Sequence, residues 1–392
     1  MSPRPAPNPS DEGLAIGAQP SRPEVDTGHL HQLYRSLRQD ERREQLFLGF
    51  PDHLGHVMGE LASLLGVFVD HREDPYSRNL FAAGTREYEE AVLEYFAAFA
   101  GASPGEAHGY VAASPQEALL HGLALARRRL PEPSVYVSEQ ARYDVVRACE
   151  LLGMNRVAVR ARPDGTMDAG DLRLQTRIRG GAGAAVVATC GTPQRGAIDN
   201  VADLRAVAAA AGPVHVHVDA TAGGLAAAHS NRVPPWSLAH GAHSITLSGH
   251  PLLGLPVPAG ISLVRRETMP PTPSGITLPD HLVVGSRGGL ATLMLWTRLR
   301  SLGRAGVAAM VARCQDVAAY AFEQFEAAGV SPELVPGSLT VTFARPPHWV
   351  LDKWGLQCVG DLAQIVTTGP VTRTAVDELA ADLSAARQGA AA

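Results

Sequence analysis

The chain of 392 residues is almost without lysine: Lys and Arg total 34, and Lys353 is the single lysine among them. The Arg bias beside abundant Ala and Gly is consistent with codon usage, but its consequence is chemical. Any reaction that needs a side-chain amine has only Lys353 to use. Cysteine is also sparse, and Cys149, Cys190, Cys314 and Cys358 form no C-x-x-C pair. Neither a disulfide framework nor a thiolate metal centre is suggested. No apolar run reaches the roughly 20 residues of a membrane-spanning helix, and residues 1–27 lack the basic start and apolar block of a secretory signal. They read as a disordered leader on a cytoplasmic protein with no membrane partner. A formal charge of -5 and a pI near 6.3 give no basic surface for nucleic acid. What remains, 45% hydrophobic and 19% charged, suits a soluble globular protein large enough for two domains.

Periodicity divides the chain. Residues 28–75 read as an N-terminal arm with a polar helix from about His29 to Gln45. The stretch from Thr85 to Ala100 has helical spacing behind a Thr cap. Across 76–290, short apolar runs alternate with helical patterns: "GYVAAS", "SVYVSE", "NRVAVRA", "AAVVATCG" and "VHVHVDA" read as strands. That alternation predicts a mostly parallel sheet covered on both faces. One helix start is well marked, with Ser114 as cap, Pro115 in the first turn and Glu117 closing a capping box. Residues Glu267 to Asp280 read as a surface connector. A long helix from about Leu290 to Ala328, interrupted near Gly303 to Gly306, opens a smaller C-terminal α+β domain over 291–392.

In order along the chain, "GYVAASPQEA", "VSEQARYDVV", "GTPQRGAIDN", "VHVDATAGG", "SGHPLLGLPVPAGI" and "GSRGGLATLMLW" resemble the pyridoxal-phosphate-dependent amino-acid decarboxylases of group II, most closely the bacterial histidine decarboxylases. The resemblance runs from about Leu46 to Leu383. It implies an α/β fold of the aspartate aminotransferase type (fold type I) and a dimer with active sites at the subunit interface. Function does not transfer with the fold, because it resides in particular residues.

Each residue implied by the resemblance can be checked. The Schiff-base lysine follows Ser-Gly-His in the family, and here that position is Pro251, which has neither a side-chain amine nor a backbone N–H. The stacking histidine falls at Arg142, whose guanidinium can stack but cannot exchange protons; a salt-bridged surface arginine is the alternative. The phosphate turn falls at Ser114, Pro115 and Gln116, although a structural capping box accounts fully for Ser114 and Glu117. Asp219 stands where the family pairs a carboxylate with the pyridinium nitrogen; an inherited buried partner is the alternative. Thr192, Arg195, Ser248 and His250 also match. Ser248 and His250 would line the pocket, and an imidazole can move protons near neutral pH. Arg195 and Arg287 offer bidentate donors to a carboxylate or phosphate.

Without the resemblance, His215, His217 and Asp219 alternate on a strand and share one face. H-x-H on a strand is compatible with zinc, but no third or fourth ligand stands out beyond His240, His243 and His250 nearby in sequence, and no metal is expected. The sequence therefore points to a repurposed decarboxylase-like enzyme that forms no internal aldimine and takes a small metabolite, with His250, Asp219, His217 and Arg142 as its catalytic candidates. Non-covalent use of pyridoxal or pyridoxamine phosphate stays open. So does a non-catalytic subunit, in a homodimer or paired with an active decarboxylase. A conventional histidine decarboxylase is not expected, since no residue can perform the Schiff-base step.

Overall fold

Caps and apolar periodicity translate into elements over residues 23–44, 47–49, 58–71, 74–76, 85–179, 183–269 and 282–391, which the computed structural model describes. Two compact units divide at residue 44. The described residues of the first form one helix, α1 (Pro23–Glu44), which starts six residues before the expected His29. Its Leu30, Tyr34 and Leu37 are exposed.

The second unit begins with β1 (Asp70–His71), α2 (Arg86–Phe99), β2 (Ala107–Ala112), α3 (Pro115–Arg129), β3 (Ser134–Ser138), α4 (Tyr143–Leu152) and β4 (Arg156–Val159). It continues with α5 (Ala169–Ile178), β5 (Ala184–Thr189), α6 (Val201–Ala209), β6 (Val214–Asp219), α7 (Gly224–Ala227), β7 (Ser244–Ser248) and β8 (Gly260–Arg265). Seven strands make one sheet in the order β2-β8-β7-β6-β5-β3-β4. The pairs within β7-β6-β5-β3-β4 are parallel, as expected. β8, which periodicity did not single out, runs antiparallel to both β7 and β2. β2 therefore points the same way as the parallel strands, and the C-terminal ends of β2, β3, β5, β6 and β7 share one edge.

The chain then forms β9 (Arg287–Gly288), α8 (Gly289–Ala327), β10 (Glu333–Leu334), β11 (Thr340–Ala344), α9 (His348–Trp354), β12 (Gln357–Val359), β13 (Leu362–Val366) and α10 (Arg373–Ala391). Strands β10-β11-β13-β12 make a small antiparallel sheet, and β1 pairs with β9. The interruption in α8 falls at Gly303, whose φ of 63° and ψ of 176° break the helical path in a region that glycine enters at little cost. α8 joins the two cores: Leu295 to Cys314 pack with the large sheet, and Val317 to Phe325 pack with the small one. The large core thus extends past the expected boundary at residue 290.

One local expectation differs. Thr85 does not cap α2 with its side chain; its hydroxyl bonds His71 Nε2 instead. Most of the connector read at 267–280 lies outside the described residues. No helix among the described residues is long and apolar enough to cross a membrane.

Candidate functional site

The shared edge of C-terminal strand ends is where open α/β sheets place their ligand crevices. Asp219 is the last residue of β6 and is 2% exposed. Its Oδ1 accepts from the Thr221 hydroxyl (2.5 Å) and N–H (3.2 Å), an Asx turn that fixes the carboxylate. Its Oδ2 has no hydrogen-bond partner. Arg142, the residue before α4, brings Nε to 3.8 Å from that oxygen while its terminal nitrogen bonds Asp144. Burial alone would lower the Arg142 pKa, but Asp219 and Asp144 raise it, so the guanidinium is held charged. Asp219 and Arg142, two of the sequence candidates, thus meet.

The same edge carries the α3 N-terminus and the turn after β7. Ser114 Oγ accepts from the Glu117 N–H (3.3 Å), and Glu117 Oε2 accepts from the Ala113 N–H (2.9 Å). The capping box forms with its reciprocal bond shifted to the preceding N–H. Gln116 is exposed. Across the sheet edge, a Cβ added to Gly260 would come within 2.3 Å of the Ser114 carbonyl oxygen, so the backbone itself packs this corner. In the turn, His250 Nδ1 bonds Ser248 Oγ (3.0 Å) and accepts from the Ala259 N–H (3.4 Å). Accepting at Nδ1 puts the proton of the neutral ring on Nε2. Pro251 follows directly in the same turn.

Other candidates lie elsewhere. His217 shares the Asp219 face as expected but sits 1% exposed beneath α3, where a Cβ on Gly122 would come within 2.2 Å of its Nδ1. That nitrogen bonds Ser244 Oγ (2.8 Å), and Nε2 bonds Thr246 Oγ1 (3.2 Å). Burial depresses its pKa to about 4. His215 bonds the same Ser244 hydroxyl and stacks on His243. These rings are neutral, buried ties between sheet strands, and His217 is engaged with Ser244 and Thr246 and not with Arg142 or His250. No cluster of three His, Cys, Asp or Glu among the described residues could hold a metal.

The proposed anion binders are already engaged. Arg195 pairs with Glu333 of β10, and Thr192 Oγ1 accepts from the Ala197 N–H (2.9 Å) within its own turn. Arg287 is buried against Glu89 and the Val111 carbonyl, and His71 bonds Glu89 from the other side at 2.7 Å. Burial opposes the Glu89 charge, but His71 and Arg287 hold its pKa below the ordinary value. This network joins β1, α2, β2 and β9, with Arg287 as the residue that links them. Lys353, half-exposed on α9, pairs with Asp382 at 2.6 Å.

These residues do not fit a lysine-held pyridoxal phosphate. The turn after β7 has no amine, the one lysine is tied to Asp382 on α9 and α10, and Glu117 places its own carboxylate at the helix end where a phosphate would need donors. Periodicity missed Asp144, Thr221 and Glu333. The Asp-x-Thr pattern at 219–221 was the available signal for Thr221.

Comparison with known proteins agrees with the fold. A pyridoxal-dependent decarboxylase conserved domain matches residues 121–336. A histidine decarboxylase of Klebsiella aerogenes is 31% identical over 349 residues, covering 86% of this chain and 92% of that protein. Serine decarboxylase 1 of Oryza sativa is 28% identical, covering 91% and 75%. The solved L-methionine decarboxylase of Streptomyces sp. 590 superposes with a TM-score of 0.82 at 20% identity over 97% of this chain and 98% of that one, a likeness of fold alone. With the domain spanning more than half of its length and a relative above 30% identity along most of both proteins, the chain belongs to the pyridoxal-dependent decarboxylase family.

Proposed function

We propose that this chain is a decarboxylase-family protein repurposed to work without a lysine-bound cofactor, acting on a small amino-acid-derived or carboxylated metabolite at the edge shared by Asp219, Arg142, Ser248 and His250. One observation carries the reading: the only side-chain amine belongs to Lys353, which sits on α9 in an ion pair with Asp382. In this reading Pro251 occupies the position where relatives carry their lysine. Asp219, with Arg142 beside it at the strand edge, binds and orients the metabolite, and His250 exchanges a proton through Nε2. The relatives' names, histidine and serine decarboxylase, support an amino-acid-derived ligand class. We place the protein in the cytoplasm as a homodimer.

The closed set of ion pairs around Arg142, Arg195 and Arg287 also favours a second reading, a non-catalytic subunit that partners an active decarboxylase. Non-covalent pyridoxamine phosphate is a weaker alternative, because Glu117 would oppose its phosphate. An absorption titration with pyridoxal phosphate between about 300 and 500 nm tests the main reading. It expects no saturable aldimine band; appearance of one would overturn it. Recovery of a lysine-bearing decarboxylase in stoichiometric complex would select the second reading.

A further inference from the structure

Asp219 presents an unusual imbalance. Thr221 satisfies Oδ1, yet Oδ2, on a side chain 2% exposed, takes no hydrogen bond. Arg142 Nε stands 3.8 Å away, beyond hydrogen-bond length, because Asp144 draws the guanidinium from its other end. One guanidinium thus faces two carboxylates, and the neutral His217 beneath adds no positive charge. A buried carboxylate oxygen without a donor is costly, and a local excess of negative charge favours a cation over an anion.

We infer that Asp219 Oδ2 anchors the ammonium group of a small, unphosphorylated amine, with Arg142 as a displaceable cover. The Arg142 side chain is 18% exposed against 2% for Asp219 and precedes α4 outside the sheet, so it is the more accessible partner and can yield without breaking the sheet. Its bond to Asp144 would keep it charged in the displaced position. The amine donates to Oδ2 the hydrogen bond that Arg142 does not reach. This inference rests on the reading that no lysine-bound cofactor fills the same space.

The test is calorimetric titration of the full-length protein with histamine and with imidazolepropionate, which carry the same ring and opposite terminal charges. Histamine is expected to bind at least about tenfold more tightly. Asp219→Asn should abolish that preference, and Arg142→Gln, which removes the competing cation, should tighten histamine binding by about threefold. Absence of histamine binding, equal or tighter binding of the anion, or an unchanged preference in Asp219→Asn would overturn the inference. Should Asp219→Asn fail to fold, Arg142→Gln decides: loss of histamine binding in that variant also overturns it. Failure of the cofactor reading is distinguishable, since it appears as a covalent mass adduct and not as an altered titration.

Discussion

Arg142 and Asp219, 77 positions apart in sequence, meet at the C-terminal strand edge with Nε and Oδ2 separated by 3.8 Å. Asp144, two residues from Arg142, holds the guanidinium from the other side. The pair makes this edge an ionic site built from the protein's own charges.

Removing the cation should therefore leave Asp219 buried without compensation. Arg142→Ala is expected to destabilise the fold by about 1–3 kcal/mol, read as a shift of the urea midpoint. In an Asp219→Asn background the same substitution should cost less, because the charge it compensates is gone. Equal costs in both backgrounds would show that the two residues are not coupled.

At the start of α3, Glu117 has a capping role that Gln can share. Glu117→Ala should cost about 1 kcal/mol and Glu117→Gln clearly less. Thermal unfolding of the two variants checks this order.

The buried histidines make the fold sensitive to acid. Burial depresses His217 to about 4 and His243 to about 3, and it holds His215 well below the usual value. Protons bind the unfolded chain first, so the stability these rings contribute is complete above about pH 6.5 and is lost as pH falls toward 4 and 3. Asp199 acts in the opposite direction. Burial raises it to about 6, so its contribution is present at low pH and is lost as pH rises from about 4 through 6. Each group changes stability by about 1.4 kcal/mol per pH unit inside its window. The histidines outnumber the aspartate, so unfolding free energy should fall by roughly 1–3 kcal/mol per unit between about pH 6 and 4. Urea melts across that range, repeated with His243→Gln, would show a shallower fall in the variant.

Packing at His217 gives an independent check. A methyl group at Gly122 would lie 2.2 Å from its ring, so Gly122→Ala should destabilise by about 1–3 kcal/mol despite being helix-favouring. A stabilised variant would show that α3 does not press on β6 as described.

Local signals made much of this structure legible. The Ser-Pro-x-Glu start of α3, the apolar run of β5 and the glycine break in α8 all lie within a few residues of their causes. The alternation in "VHVHVD" correctly placed His215, His217 and Asp219 on one face. It did not reveal that α3 covers that face, which is why His217 read as a candidate catalyst. Arg287 and Arg195 looked available because their partners, Glu89 and Glu333, lie far away in sequence. Thr85 read as a cap until β1 brought His71 to its hydroxyl. Pair formation across elements depends on topology, and no periodicity encodes it.

With Lys353 as its only lysine, this family member is expected to hold no pyridoxal phosphate as a Schiff base. Borohydride reduction of the purified protein with added pyridoxal phosphate, followed by intact and peptide mass analysis, tests it most directly. No stoichiometric phosphopyridoxyl adduct is expected at any residue. A stoichiometric adduct on Lys353 would contradict it.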